Sequence, residues 1–301
     1  MSTRWKTIYG QLLVACIVHP WLPLSAQTPT IDGIVWQPHN DNLRPHGNWH
    51  ELGVTTLLVQ WSTVDGRTFF PSPQHHSGDA PTPPSVDDPT LPDWERIGKE
   101  PWAQEVIMGL QGYFQEATAR SRAAQLAQNA RNQAKAPCGV NVVGWYFPVE
   151  FDPTWDVPTE LIDALANLPR PLWISVYDSA NVGPVALIRH IERWLPGDAG
   201  LFFQDGVGVH ARDAHTAQRY AKALTAHFGN KRVRLIAEAF RPAKEGGFRA
   251  ATPAELGAQL TAYSGQVVYV FEGPTYVTPA TVSALLSTEV PPSVDHQGLP
   301  E

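Results

Sequence analysis

Along the chain, short apolar runs rich in β-branched and aromatic residues alternate with polar turns and then with segments of helical period. Eight runs are read as strands: 34–37 (IVWQ), 54–61 (VTTLLVQW), 105–110 (EVIMGL), 142–147 (VVGWYF), 172–177 (LWISVY), 201–203 (LFF), 233–237 (VRLIA) and 267–271 (VVYVF). Between them, helices are predicted over 117–135, 160–168, 184–195, 214–228 and 253–263. In 185–194 the apolar residues recur three and four positions apart, the period of a buried helix face. Near-continuous apolar strands alternating with helices mean a parallel sheet covered on both sides. Eight such units in a chain of this length predict an α/β fold, a (β/α)8 TIM barrel in one domain over 27–288.

Three segments break the rhythm. Residues 1–26 carry Arg4 and Lys6, then an apolar stretch from Thr7 to Leu24 that ends in Ser25-Ala26-Gln27, the pattern of a secretory signal peptide cut after Ala26. His19, Pro20 and Pro23 interrupt the stretch, which argues against a membrane-spanning helix. Leu13-Val14-Ala15-Cys16 also fits a lipobox, in which Cys16 would be lipidated and would tie the protein to a membrane. Either way the chain is expected to be exported, periplasmic or extracellular. Residues 70–101, with His75-His76 and many Pro, Ser, Thr and Asp, lack an apolar period and are read as a long loop after the second strand. The polar residues 289–301 are read as a flexible tail.

Composition narrows the chemistry. The balance of 22 Lys+Arg against 29 Asp+Glu, net charge -7, argues against a nucleic-acid partner. Only 2 Cys are present, too few for a disulfide scaffold, and Cys138 is expected to be buried. Gly206-Val-Gly208-Val-His-Ala211 spells a dinucleotide fingerprint, but at the sixth unit and beside Asp205, so it is read as a tight turn that lets backbone approach a ligand. No cofactor is expected. His46 and His50 are four apart, but the stretch HGNWH lacks the Glu of H-E-x-x-H and Gly47 weakens a helix there. A metal site built from His39, Asp41 and their neighbours would make the protein a metal-dependent deacetylase or hydrolase, a minor alternative. There is no G-x-S-x-G elbow and no P-loop.

With charged residues at 17%, acids at strand ends stand out. The fourth strand runs into Glu150, the sixth into Gln204 and Asp205, the seventh into Glu238 and the eighth into Glu272. In a barrel these positions border the C-terminal face, where active sites are built. Two carboxylates across a pocket are the equipment of glycoside hydrolysis, one giving a proton to the leaving oxygen and the other attacking or stabilising the sugar cation. By analogy with the large clan of retaining barrel glycosidases, Glu150 would be the acid/base and Glu238 the nucleophile, although Val149 stands where that clan usually has Asn. Asp205 would support them. Trp36, Trp61, Trp145, Tyr146 and Tyr177, at or near strand ends, are candidate faces for stacking on sugar rings, with core packing as the plainer role. Gln37, Gln60 and His39 are further candidates for contacts to sugar hydroxyls.

Residues 33–72, with LLVQWSTVDG at 57–66, together with GWYFPVEFD at 144–152 and FFQDGVGVH at 202–210, resemble the bacterial DUF4434 family. The resemblance runs from about Ile31 to Thr278. It implies a TIM-barrel glycoside hydrolase with a polysaccharide-related role, and it points to Gln60, Trp61, Trp145, Tyr146, Glu150, Gln204, Asp205 and Glu238. The leading expectation is therefore an exported glycosidase acting on a bacterial exopolysaccharide. The main alternative is a non-catalytic barrel that binds glycan during polymer export.

Overall fold

Eight parallel strands close on themselves: β1 (Gly33–Trp36), β2 (Thr56–Val59), β3 (Glu105–Gly109), β4 (Val142–Phe151), β5 (Leu172–Val176), β6 (Gly200–Gln204), β7 (Val233–Glu238) and β8 (Val268–Phe271). Each pairs with its neighbour in chain order, and β8 returns to β1. This computed structural model describes residues 30–287 apart from 40, 71–90, 134–136 and 138, and only the backbone of 131–133. The predicted signal peptide, Cys16, His75, His76, Cys138 and the tail 289–301 all lie outside the described residues.

The strands are apolar throughout because both faces are buried. One set, which includes Val35, Leu58, Ile107, Tyr146, Phe202, Ile236 and Tyr269, fills the barrel. The alternate set, such as Ile34, Leu57, Phe147, Ile174, Phe203 and Leu235, packs outward under the helices. Phe202 anchors the interior, its ring 4.9 Å from Tyr269, 5.2 Å from Trp173 and 6.0 Å from Tyr146 between centroids.

The helix predicted over 214–228 spans Ala214–Phe228, opened by Asp213, whose side chain accepts from Thr216 N at 2.7 Å. Pro253–Ala262 begins with a capping box of Thr252 and Glu255. The helix predicted over 117–135 is two, Glu116–Ser121 and Ala123–Gln133. No Gly or Pro marks the break at Arg122, and Ala119 before it and Ala123 and Leu126 after it keep one face toward the core. Part of the segment read as a loop is also helical. Trp94–Ile97 is capped by Asp93, and Trp94 donates to Phe69 O at 3.0 Å while its ring meets Trp36 and Phe70.

Two features shape the C-terminal mouth. An antiparallel hairpin, Phe240–Pro242 with Phe248–Ala250, rises after β7. Within β4 the register slips: Phe147 pairs with Ile174, but Glu150 pairs with the next β5 residue, Ser175, so β4 holds two extra residues.

Candidate active site

Successive residues of a strand point to opposite faces, and this alternation sorts the strand-end candidates. Gln37, Gln60, Tyr146, Glu150, Tyr177, Gln204 and Glu238 all line one pocket of about 280 Å³ at the barrel mouth. Val209, Ile236, Phe240, Phe248 and Phe271 complete its wall.

The remaining candidates point elsewhere, which corrects the expectation of a Trp platform. Trp36 is fully buried in the outer layer and donates to Asn42 O at 3.1 Å. Trp61 donates to Pro38 O at 2.9 Å, and Trp145 packs against the same outer core. Each has the opposite facing to the Gln37, Gln60 or Tyr146 beside it. In a strand that is apolar on both faces, residue type alone does not reveal which ring faces inward. His39 is exposed and lies outside the pocket wall. Glu272 is buried against the loop after β1, accepting through Oε1 from Gln37 N at 3.1 Å and Asn42 Nδ2 at 3.2 Å; burial pushes its carboxyl up. So only two of the four strand-end acids enter the pocket.

Glu150 is partly buried, and Gln204 Nε2 donates to its Oε1 at 2.6 Å while also reaching Ser175 Oγ at 2.6 Å. Burial pushes its carboxyl above the usual range; the Gln204 bond and the Arg120 charge offset part of that. Behind it, Glu116 pairs with Arg120 at 2.8 Å, yet burial and the Glu150 charge push Glu116 up to about 7. Arg120 also donates to Glu150 O at 3.1 Å.

Glu238 is 5% exposed. Its Oε2 accepts from Gly208 N at 2.7 Å and Val209 N at 3.3 Å. Burial and the negative charge of Asp205 push it up, while the two backbone bonds pull it back. The glycine pattern after β6 therefore serves a carboxylate rather than a dinucleotide. A Cβ on Gly208 would stand 2.7 Å from Glu238 Cβ and 2.8 Å from its Oε2, so only glycine lets this backbone come so close. Gly206 makes the turn with φ 66°.

Asp205 sits behind the pocket, fully buried. Its Oδ1 accepts from Val207 N at 3.1 Å and Glu238 N at 3.3 Å, and its Oδ2 from Gln259 Nε2 and from Tyr263 OH at 2.6 Å. Burial pushes the Asp205 carboxyl up as well, its four donors pull it back, and its charge adds to what burial does to Glu238. Gln259 is held in turn by buried Arg241, which donates to its Oε1 at 2.6 Å. This bracket was invisible in the sequence. Gln259 and Tyr263 are four apart, on one face at the end of a helix, but nothing in the pattern ties them to Asp205. Ser175 and Phe271 could have been found by counting in twos from Tyr177 and Tyr269.

Among the described residues, no group of three or more His, Cys, Asp or Glu is placed to hold a metal ion. Asp41, His46 and His50 are exposed. No described helix is long and apolar enough to cross a membrane.

No family model and no curated protein matches the chain. Among solved structures it is similar to a candidate alpha-L-fucosidase from Bacteroides thetaiotaomicron VPI-5482, at 12% identity over 92% of this chain and 97% of that one, with a TM-score of 0.49.

Proposed function

We propose that the protein is a glycoside hydrolase of the DUF4434 type, exported, and acting on a bacterial exopolysaccharide through Glu150 and Glu238. One observation carries the reading: two buried or half-buried glutamates, pushed above the usual carboxylate range, face a single pocket at the mouth of a (β/α)8 barrel. A barrel that only bound glycan would need the apolar wall but not this pair.

Hydrogen bonding assigns the roles. Glu238 receives two backbone N–H groups on one oxygen, which oppose the burial that raises it, and its other oxygen is free to attack once the group is ionised. Glu150 receives one neutral amide, so burial keeps its proton in place. Glu150 gives that proton to the glycosidic oxygen as the bond to the anomeric carbon breaks, and Glu238 forms an ester with that carbon. Glu150, now a carboxylate, takes a proton from water, whose oxygen displaces Glu238 and restores both groups.

Glu150→Gln and Glu238→Gln keep the side-chain shape and should each lower hydrolysis at least 1,000-fold, roughly 4 kcal/mol of barrel-bound transition-state stabilisation. The assay is product release from a panel of bacterial exopolysaccharides, with thermal melting to confirm the fold. Full activity in either variant would sink the pairing.

A further inference from the structure

The wall of the pocket says what charge its occupant carries. Among the described residues that line it there is no Lys, Arg or His. Four arginines lie nearby, and each is engaged. Arg120 binds Glu116 and Glu150 O. Arg212 spends its guanidinium on the carbonyls of Asp178 and Asp205 and on Asn181 Oδ1. Arg241 serves Glu238 O, Phe240 O and Gln259. Arg249, next to Phe248, is forked onto both oxygens of Glu255 at 2.8 Å. A sugar bearing a carboxylate or sulfate would bring another negative charge to two glutamates whose carboxyls burial already pushes up, with no cation among the described residues of the wall to receive it.

The rest of the wall is apolar and reaches outward. Val209 and Phe248 line the pocket, yet they are 40% and 51% exposed. Phe248 stands on the hairpin after β7, where all of Phe248–Ala250 is exposed, and its ring leans edge-on against Phe240 with centroids 4.7 Å apart. An exposed aromatic ring held in place by a second, buried ring costs solvation without serving the core. It is suited to stacking on the C–H face of a pyranose. The volume of about 280 Å³ lies just below the ~300–1,000 Å³ of pockets for drug-sized ligands, so it suits one ring, with the next ring at the rim.

We infer that the site takes an electrically neutral glycan, and that Phe248 is the platform for the sugar next to the one held between Glu150 and Glu238. This rests on the pocket being the sugar site proposed above, and it goes further in naming the substrate's charge and a specificity residue.

The test reads binding, so it does not depend on bond cleavage. The full chain carrying Glu150→Gln is run in native gels containing a mixed-linkage β-glucan, a galactomannan or a dextran. Further gels contain polygalacturonate or alginate, each before and after chemical reduction of its carboxyl groups to alcohols. Neutral and carboxyl-reduced polymers should retard the protein at least tenfold more strongly than the acidic parents. Phe248→Ala should weaken retardation about tenfold, and Phe248→Trp should restore it. Equal or stronger binding of an acidic parent, no effect of Phe248→Ala, or no retardation by any neutral polymer overturns the inference. The wild-type chain separates the two readings. A retained polymer left uncut removes the hydrolase and leaves the neutral platform standing. Cleavage that needs Glu150 but not Phe248 does the reverse.

Discussion

Replacing Asp205 by Asn removes one charge and turns one acceptor oxygen into a donor, in a side chain with no access to water. The remaining oxygen can still take Val207 N and Glu238 N. The new NH2 then faces Gln259 Nε2 and Tyr263 OH, both donors. Tyr263 can rotate its hydroxyl and accept. Gln259 can turn its amide only by withdrawing the oxygen that Arg241 holds at 2.6 Å. At least one buried donor is therefore orphaned, and the bonds lost were to a charged group. With about 1.5–3 kcal/mol for a charge-assisted bond and about 1–3 kcal/mol for an orphan, a cost of about 3 kcal/mol follows. In a domain of this size that is a fall of roughly 6–12 °C in Tm, read by scanning calorimetry. A double-mutant cycle with Tyr263→Phe should show coupling of at least ~1 kcal/mol, because the two share a bond. The same change removes the negative charge that raises Glu238. Its ionisation, and with it the acid limb of the pH–activity profile, should move to lower pH. An unchanged Tm, or additive effects in the cycle, would refute the bracket as the support of Glu238.

Gly208→Ala puts a methyl 2.7 Å from Glu238 Cβ and displaces the N–H that holds the carboxylate; kcat should fall about 10- to 100-fold while circular dichroism stays native. Glu238 has a folded-state pKa above its unfolded value of about 4.3, so its contribution to stability is present below that pH and lost as pH rises through the raised value. Glu238→Gln should therefore flatten the stability profile above pH ~5 and exceed wild type at pH 9 in urea titrations; parallel curves would contradict the burial cost.

Fold and site were legible to different degrees. Strands buried on both faces announce themselves as apolar runs, and each of the eight barrel strands lies on a run picked out in the sequence. Helices showed only where a long amphipathic period existed, so Pro279–Ser287 and the short Trp94–Ile97 were missed. Within the site, Glu150 and Glu238 were found as acids after strands. In sequence, Trp36, Trp61 and Trp145 are candidate stacking faces because large rings near strand ends are conspicuous, with core packing as their plainer role. Facing decides their fate, and facing was recoverable: Gln37, Gln60 and Tyr146 stand one position away from each. What no local pattern carries is the long-range bracket of Asp205, Gln259, Tyr263 and Arg241, or the role of Phe248, which depends on where the hairpin folds.

The slip in β4 sets the depth of the chemistry. Two extra residues, between Phe147 and Glu150, leave the inward facing of Glu150 untouched, because facing repeats every second residue. They do change height: Glu150 sits level with Ser175 instead of roughly 6–7 Å further along the barrel axis. There Gln204 can reach both at once. The vertical position of the proton donor is thus written in chain length rather than in side-chain identity. Loss of a single residue here would turn the glutamate outward, whereas loss of both would leave it facing in, opposite Ser175 on a regular ladder.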